Sequence, residues 1–259
     1  MTNILLTISY DGTDFCGWQR QDVKAGEPLV RTVQGSVEDA LKKMLGADIS
    51  IQGSGRTDSG VHARAQKATF FCPIDTIPEE NYVRALNAIL PKDVRILKAE
   101  KVDEKLSARF SATSRSYRYF MYFNGAAPAD RSRYVWNLTH IPNVENLSQM
   151  ASVLGGEQDF KTFTASGDKS LSTFRYIDSA KFYLQDENTL VFEIEANAFL
   201  WRMVRSLTGT LIQADQKGYD KEWFKNCLES CDRTKALVTA PPTGLFLWDV
   251  KFDGVRRHV

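Results

Sequence analysis

The chain is short of the parts that most enzyme chemistries need. It has four cysteines in 259 residues, Cys16, Cys72, Cys227 and Cys231. That is too few for a disulfide scaffold at this length. Cys227 and Cys231 lie four apart on an expected helix, with no His or Cys pair at zinc spacing beside them. The cysteines therefore read as small buried hydrophobes, and no metal site is expected. Histidine is scarce too: His62, His140 and His258 are all there are. The chain contains no G-x-x-x-x-G-K-[ST], no strand-borne G-x-G-x-x-G, no H-E-x-x-H and no G-x-S-x-G, which argues against a kinase, a nucleotide-linked redox enzyme, a zinc hydrolase and a serine hydrolase. No apolar run of about eighteen residues is present to span a membrane. The opening residues, Met1 to Phe15, carry neither the basic n-region nor the apolar core of a signal peptide. No membrane partner is expected, and the reducing cytoplasm is the expected compartment. An excess of one charge is also missing: 33 Lys and Arg stand against 32 Asp and Glu, a formal net charge of +1. Nucleic-acid binding, if it occurs, has to come from a local basic patch.

What remains is an ordinary globular composition, 43% hydrophobic and 25% charged, long enough for one large domain or two moderate ones. The apolar, β-branched run Ile4 to Tyr10 predicts a strand that ends in the turn signal Asp11-Gly12. Val33, Val37, Ala40, Leu41, Met44 and Leu45 recur at helical spacing up to Gly46. A glycine-rich loop follows, then a strand around Ala68 to Cys72, a helix around Tyr82 to Leu90 closed by Pro91, and an alternating strand Val94 to Val102. The second half repeats this grammar. It has strands near Tyr117 to Phe123, Phe174 to Phe182, Leu190 to Ala196 and Leu245 to Phe252. Its helices are expected from Val144 to Leu154, Phe199 to Gln213 and Lys221 to Ser230. Strands and helices mix without strict alternation, which predicts an α+β fold of two halves, 1–107 and 108–259.

Two features carry the chemistry. The first is Gly53-Ser54-Gly55-Arg56-Thr57-Asp58-Ser59-Gly60-Val61-His62-Ala63-Arg64. Its glycines let the backbone turn sharply and a ligand approach closely. Asp58 reads either as a turn cap or as a carboxylate nucleophile kept ionised by Arg56 or another cation. The second is charge placement. Between Lys105 and Tyr134, Lys105, Arg109, Arg115, Arg118, Arg131 and Arg133 face a single acid, Asp130, and Tyr117, Tyr119, Phe120, Tyr122 and Phe123 are interleaved with them. Guanidinium groups meet phosphates while rings stack on splayed bases, so this pattern suits RNA. It also suits a plain strand with one apolar and one charged face. Arg202 and Arg205 are odder, because Phe199, Leu200, Met203, Val204, Leu207 and Leu211 make their expected helix mostly core. A buried arginine needs a carboxylate or phosphate partner, and Asp58 is the expected one.

These residues resemble the tRNA pseudouridine synthase A family along nearly the whole chain. Gly55 to Ala63 is similar to the family's catalytic loop, with Asp58 in the place of its aspartate. Tyr10 to Gln21 resembles the N-terminal signature. Ala85 to Pro91, Ala108 to Ala112 with Arg115 to Tyr119, Phe199 to Leu211, and Ala240-Pro241 with Gly244-Leu245 match in order. The chain departs from the family's commoner residues at Leu106-Ser107, at Gln158 and at Phe252, all outside the catalytic loop.

The resemblance implies two related halves, each a mainly antiparallel sheet with helices on one face, a basic catalytic cleft between them, and a homodimer. It implies an isomerase that turns uridine into pseudouridine at positions 38, 39 and 40 of the tRNA anticodon stem-loop, with no cofactor. Asp58, Tyr117 and Arg205 are the expected catalytic residues, with Arg205 within salt-bridge distance of Asp58. Arg56, Tyr117, Arg109, Arg115, Arg118, Arg202 and Leu245 are expected on the RNA. Two rivals stand beside this reading. One is a non-catalytic RNA-binding protein with two RRM-like halves, although the RNP1 pattern is missing. The other uses the glycine-rich loop as a phosphate nest, although the P-loop lysine is missing.

Overall fold

A computed structural model describes residues 1–21, 30–255 and 257; His258 lies outside the described residues. The chain divides into two compact units, Met1–Ala112 with Leu247–Asp253, and Thr113–Phe246 with Gly254–Val259.

In the first unit, β1 (Thr2–Tyr10) is followed by α1 (Val33–Leu45), β2 (Gln52–Gly53), β3 (His62–Cys72), α2 (Glu79–Ile89) and β4 (Val94–Val102). β1 pairs antiparallel with both β3 and β4. Its Ile4, Leu6 and Ile8 are fully buried. α1 forms because Val33, Val37, Ala40 and Leu41 make one buried stripe and the Thr32 side chain caps the first turn by accepting from Gly35 N. α2 packs on α1 and on β4. Pro91 follows its C-cap, Leu90, and cannot continue the ladder. Phe15 and Trp18 are each 2% exposed, and burying a side chain of this kind contributes about 1.5–3 kcal/mol. They pin the segment that follows β1 onto the unit.

β3 begins at His62, earlier than the strand expected from Ala68. His62 and Gln66 are fully buried on it, and Gln66 is satisfied by Ser54 and Gly55 O. Polar residues on the inner face broke the apolar alternation that a strand usually shows. The expectation that all cysteines are buried is corrected at Cys16, which is exposed, and at Cys231, which is half-buried; Cys72 and Cys227 are buried. Burial pushes the Cys227 thiol up to about 11, as an inert core cysteine requires.

The second unit contains β5 (Ser114–Tyr122), β6 (Trp136–Asn137), α3 (Val144–Ala151), β7 (Gly156–Asp159), β8 (Phe174–Asp186), β9 (Thr189–Ala196), α4 (Met203–Gln216) and α5 (Lys221–Glu229). The strand order is β5-β9-β8-β7, with every neighbour in that path antiparallel. β6 runs parallel to β5. α3 packs on β8, α4 and α5 through Leu147 and Met150, both fully buried. The mixed architecture of antiparallel sheet and packed helices is the α+β class read from the sequence.

The last strand, β10 (Leu245–Lys251), lies next to β3 in the order β4-β1-β3-β10. Most of it therefore belongs to the first unit, whereas the sequence reading draws two consecutive blocks that meet at 107/108. α4 starts at Met203 and not at Phe199. Arg202, its N-cap, has φ 59° and ψ 12°, a left-handed conformation that cannot propagate a right-handed helix.

Candidate active site

The loop that carries Asp58 is held from the N-terminal segment by its backbone. Trp18 N donates to Thr57 O at 3.1 Å, and Gly60 N donates to Phe15 O at 3.3 Å. The Ser59 hydroxyl donates to Phe15 O at 3.1 Å, and the Tyr10 and Thr57 hydroxyls are 2.8 Å apart. Val61 N closes a turn onto Asp58 O at 3.1 Å. Gly17 makes the clamp possible. Its φ is +88°, and a Cβ there would meet Thr57 O at 2.7 Å and Asp58 C at 3.2 Å. The two most distinctive sequence motifs, one around Gly17-Trp18 and one around Asp58, are therefore two sides of a single packed contact. Asp58 is partly buried and Arg56 is exposed on the same loop. The Arg56 Nε donates to Gln19 Oε1 at 3.0 Å.

Below the loop, Ser54 N donates to Lys67 O at 2.7 Å and Gln66 Nε2 to Gly55 O at 2.9 Å. His62 is 0% exposed. Its Nδ1 accepts from Gly12 N at 3.0 Å, which ties the turn after β1 to the end of the loop. His62 therefore has a structural post inside the motif.

In the second unit the expected site residues sit on regular elements. Arg205 lies on the first turns of α4 and is partly buried. Its Nε donates to Ala240 O at 2.8 Å, and Ala240 N donates back to Arg205 O at 3.0 Å. Gly209 admits that segment, since a Cβ there would lie 2.1 Å from Val238 O and 2.7 Å from Ala240 N. The Tyr119 hydroxyl donates to Pro241 O. Burial pushes the Tyr119 phenol far above its ordinary value, and the Arg205 charge offsets this only in part. Ala240-Pro241 thus orients both Arg205 and Tyr119, a role its sequence did not disclose.

Tyr117 is 9% exposed and meets the Phe199 ring edge-on, centroids 5.1 Å apart. Arg115 Nη1 donates to Asn197 O at 2.8 Å. In the unbroken β5–β9 register, Arg115, Tyr117 and Tyr119 share one face while Arg118 is on the other. There Arg118 Nε lies 2.5 Å from Glu193 Oε2, and Lys181 Nζ lies 2.9 Å from Glu193 Oε1. Burial works against the Glu193 charge, but hydrogen bonds and charge from Lys181 and Arg118 hold it below the usual carboxylate range. Arg202 is exposed, with its guanidinium 5.0 Å over the Trp201 ring. Arg109 is also exposed, 5.3 Å over Phe110. Leu245 is 4% exposed at the start of β10.

A family model described as tRNA pseudouridine synthase matches residues 6–111 and 150–253. The chain belongs to the tRNA pseudouridine synthase family. It is 51% identical to "tRNA pseudouridine synthase A" of Treponema denticola, over 96% of this chain and 92% of that one. It is 44% identical to the protein of that name from Treponema pallidum, over 89% and 81%, and 41% identical to that of Caldicellulosiruptor saccharolyticus, over 97% and 100%. The likeness to a solved archaeal box H/ACA sRNP Nop10-Cbf5 complex is remote, with 13% identity over 81% of this chain and 42% of that chain and a TM-score of 0.34. The match to the tRNA pseudouridine synthase family takes in the Asp58 loop, the clamp around Gly17 and α4 with Arg205. Tyr117, Arg115 and Arg118 fall in the stretch between its two segments.

Sequence reasoning passed over Gln34 and Glu38 of this family member. Both are 7% exposed and stand one helical turn apart in the buried stripe of α1. Polar residues in the middle of an apolar face are the signal that was available.

Proposed function

We propose that the protein isomerises uridine to pseudouridine in the anticodon stem-loop of tRNA, at positions 38, 39 and 40, with Asp58 as the catalytic carboxylate. The reaction breaks the N1–C1′ bond and forms a C5–C1′ bond. The C5 proton leaves and N1 ends protonated, so the change is redox-neutral. The clamped loop supports this reading best. A backbone fixed on both sides of Asp58 fixes the point from which its carboxylate projects, and attack on C1′, addition to the base and removal of a ribose proton all need a positioned carboxylate.

The target base has to leave its stack, at a cost of about a few kcal/mol. Arg56, exposed on the same loop, is proposed to fill the vacated stack. Arg205 is the proposed electrostatic partner of Asp58, and the Ala240 O hydrogen bond that fixes the roll of its guanidinium supports that role. Tyr117 is proposed to stack on the uracil and to serve the C5 deprotonation, directly or through water. Arg109, Arg115 and Arg202 are proposed on phosphates, and Leu245 on the substrate; Arg118, also expected on the RNA, is proposed to stay with Glu193 instead. A homodimer is proposed from the resemblance, and light scattering checks it; the cytoplasm is proposed from the cysteine usage. Among the described residues no helix is long and apolar enough to cross a membrane.

The test is tritium release from C5-labelled uridine in tRNA with no cofactor added. Asp58→Asn is nearly isosteric. It should abolish release and leave tRNA affinity within a few-fold. Residual activity near wild type sinks the assignment of Asp58. RNA binding by the wild type without any release favours a binding module.

A further inference from the structure

Arg56 ends a chain of four side chains that starts at a buried carboxylate. Glu38 Oε1 accepts from Gln34 Nε2 at 2.9 Å. Gln34 Oε1 accepts from Gln19 Nε2 at 2.7 Å, and Gln19 Oε1 accepts from Arg56 Nε at 3.0 Å. The direction of this chain is forced by its ends. A carboxylate only accepts and a guanidinium only donates, so each amide between them has one orientation that makes every bond. The amide dipoles then run head to tail from anion to cation, an arrangement in which each bond strengthens the next.

Side branches hold the chain in place. Gln34 Nε2 also donates to Ile51 O at 3.2 Å, and Arg20 N donates to Gln34 Oε1 at 3.0 Å. Ile51 N donates to Glu38 Oε1 at 3.1 Å. The exposed side of Glu38 is covered by Arg20, whose Nη1 lies 3.1 Å from Oε2. Glu38 and Gln34 sit on α1 beside buried Val37 and Leu41, where a polar pair costs stability unless every group is bonded. Among the described residues, the bond to Gln19 is the one hydrogen bond Arg56 makes, and it uses Nε. Its two terminal nitrogens make no hydrogen bond among the described residues.

We infer that Gln19, Gln34 and Glu38 are positioning residues that aim Arg56 at the RNA. They act through Arg56 and touch no substrate themselves. The inference rests on the proposed contact of Arg56 with tRNA. A flexible arginine loses rotamer freedom on binding; the relay removes part of that loss in advance and fixes the plane of the guanidinium.

The experiment is a double-mutant cycle on Gln19 and Arg56, read as kcat/KM for tritium release and separately as tRNA affinity. Gln19 is only partly buried, so Gln19→Met removes the bond without opening the core. It should lower kcat/KM about ten-fold, the size expected for one hydrogen bond to a charged group. Its thermal midpoint should stay close to that of the wild type. Arg56→Ala should lose at least as much, and the double variant no more than Arg56→Ala alone. Glu38→Gln keeps the shape but frees the amides to flip, and should lie between wild type and Gln19→Met. Losses that multiply in the double variant, or a silent Gln19→Met, overturn the inference. A wild type that binds tRNA without releasing tritium overturns the synthase reading instead. The affinity cycle still decides the relay in that case: coupling keeps it and additivity removes it.

Discussion

Asp58 and Arg205 are fixed by different means in the two units. Asp58 stands on an irregular loop whose backbone is bonded to Phe15 and Trp18 and packed on Gly17. Arg205 stands on a regular helix and is aimed through its own side chain, which donates to Ala240 O. A backbone clamp fails when a neighbour that never touches substrate is changed. A side-chain clamp fails mainly through the side chain itself. The contrast orders the expected effects of substitution, after the loss of turnover in Asp58→Asn.

Gly17→Ala should act most strongly through the clamp. The new Cβ needs space that Thr57 O occupies, at a backbone φ of +88°. Strain of this kind costs about 1–3 kcal/mol, and relief requires the Asp58 loop to move. Urea unfolding should show the lost stability. Tritium release should fall by a larger factor than tRNA affinity does. Activity equal to wild type, with stability lowered, removes the clamp from the account of Asp58.

Arg205→Leu comes next. It keeps the apolar character of α4 and removes the charge, so kcat should fall about a hundred-fold, in the range of one lost electrostatic contact to developing charge, while tRNA affinity changes little. Arg205→Lys should restore only part of this, because lysine is a point charge and cannot hold both Ala240 O and a carboxylate in one plane. Equal rescue by lysine shows that charge alone matters and that the bond to Ala240 O does not.

The same contrast explains what was legible in the sequence. The Asp58 loop and the Gly17-Trp18 segment advertise themselves through glycine spacing and through resemblance, and the elements between them follow apolar periodicity. β1, α1 and β4 fall where that periodicity puts them. Features that depend on a distant partner left little local trace. β10 joins the first unit from the far end of the chain. Arg202 breaks α4 with a left-handed residue that nothing in the run Phe199 to Leu211 foretells. Gln34 and Glu38 are polar residues on an apolar face, and the partners that satisfy them include Gln19, fifteen residues from Gln34. Arg118 looked like one of a basic series until the β5–β9 register set it opposite Glu193.

That last point yields the smallest and most discriminating effect, a comparison of Arg109 with Arg118. In sequence the two are equivalent members of one basic stretch. In the structure Arg109 is exposed beside the Phe110 ring. Arg118 faces a carboxylate that Lys181 also serves. A cation that neutralises a phosphate releases counterions, and removing it lowers the salt dependence of binding by about one unit or less. Arg109→Ala should do this, weakening all tRNAs alike. Arg118 already spends much of its charge on Glu193, and leaving that pair to meet a phosphate would uncover a partly buried acid. Arg118→Ala should therefore leave the salt slope almost unchanged. Its stability cost should be small as well, because Lys181 stays on Glu193 and pairs near the surface contribute about 0–1 kcal/mol. Plots of log affinity against log salt for the two variants make the comparison. Equal drops in slope would return Arg118 to the phosphate-binding set, and would mean that it exchanges Glu193 for RNA on binding.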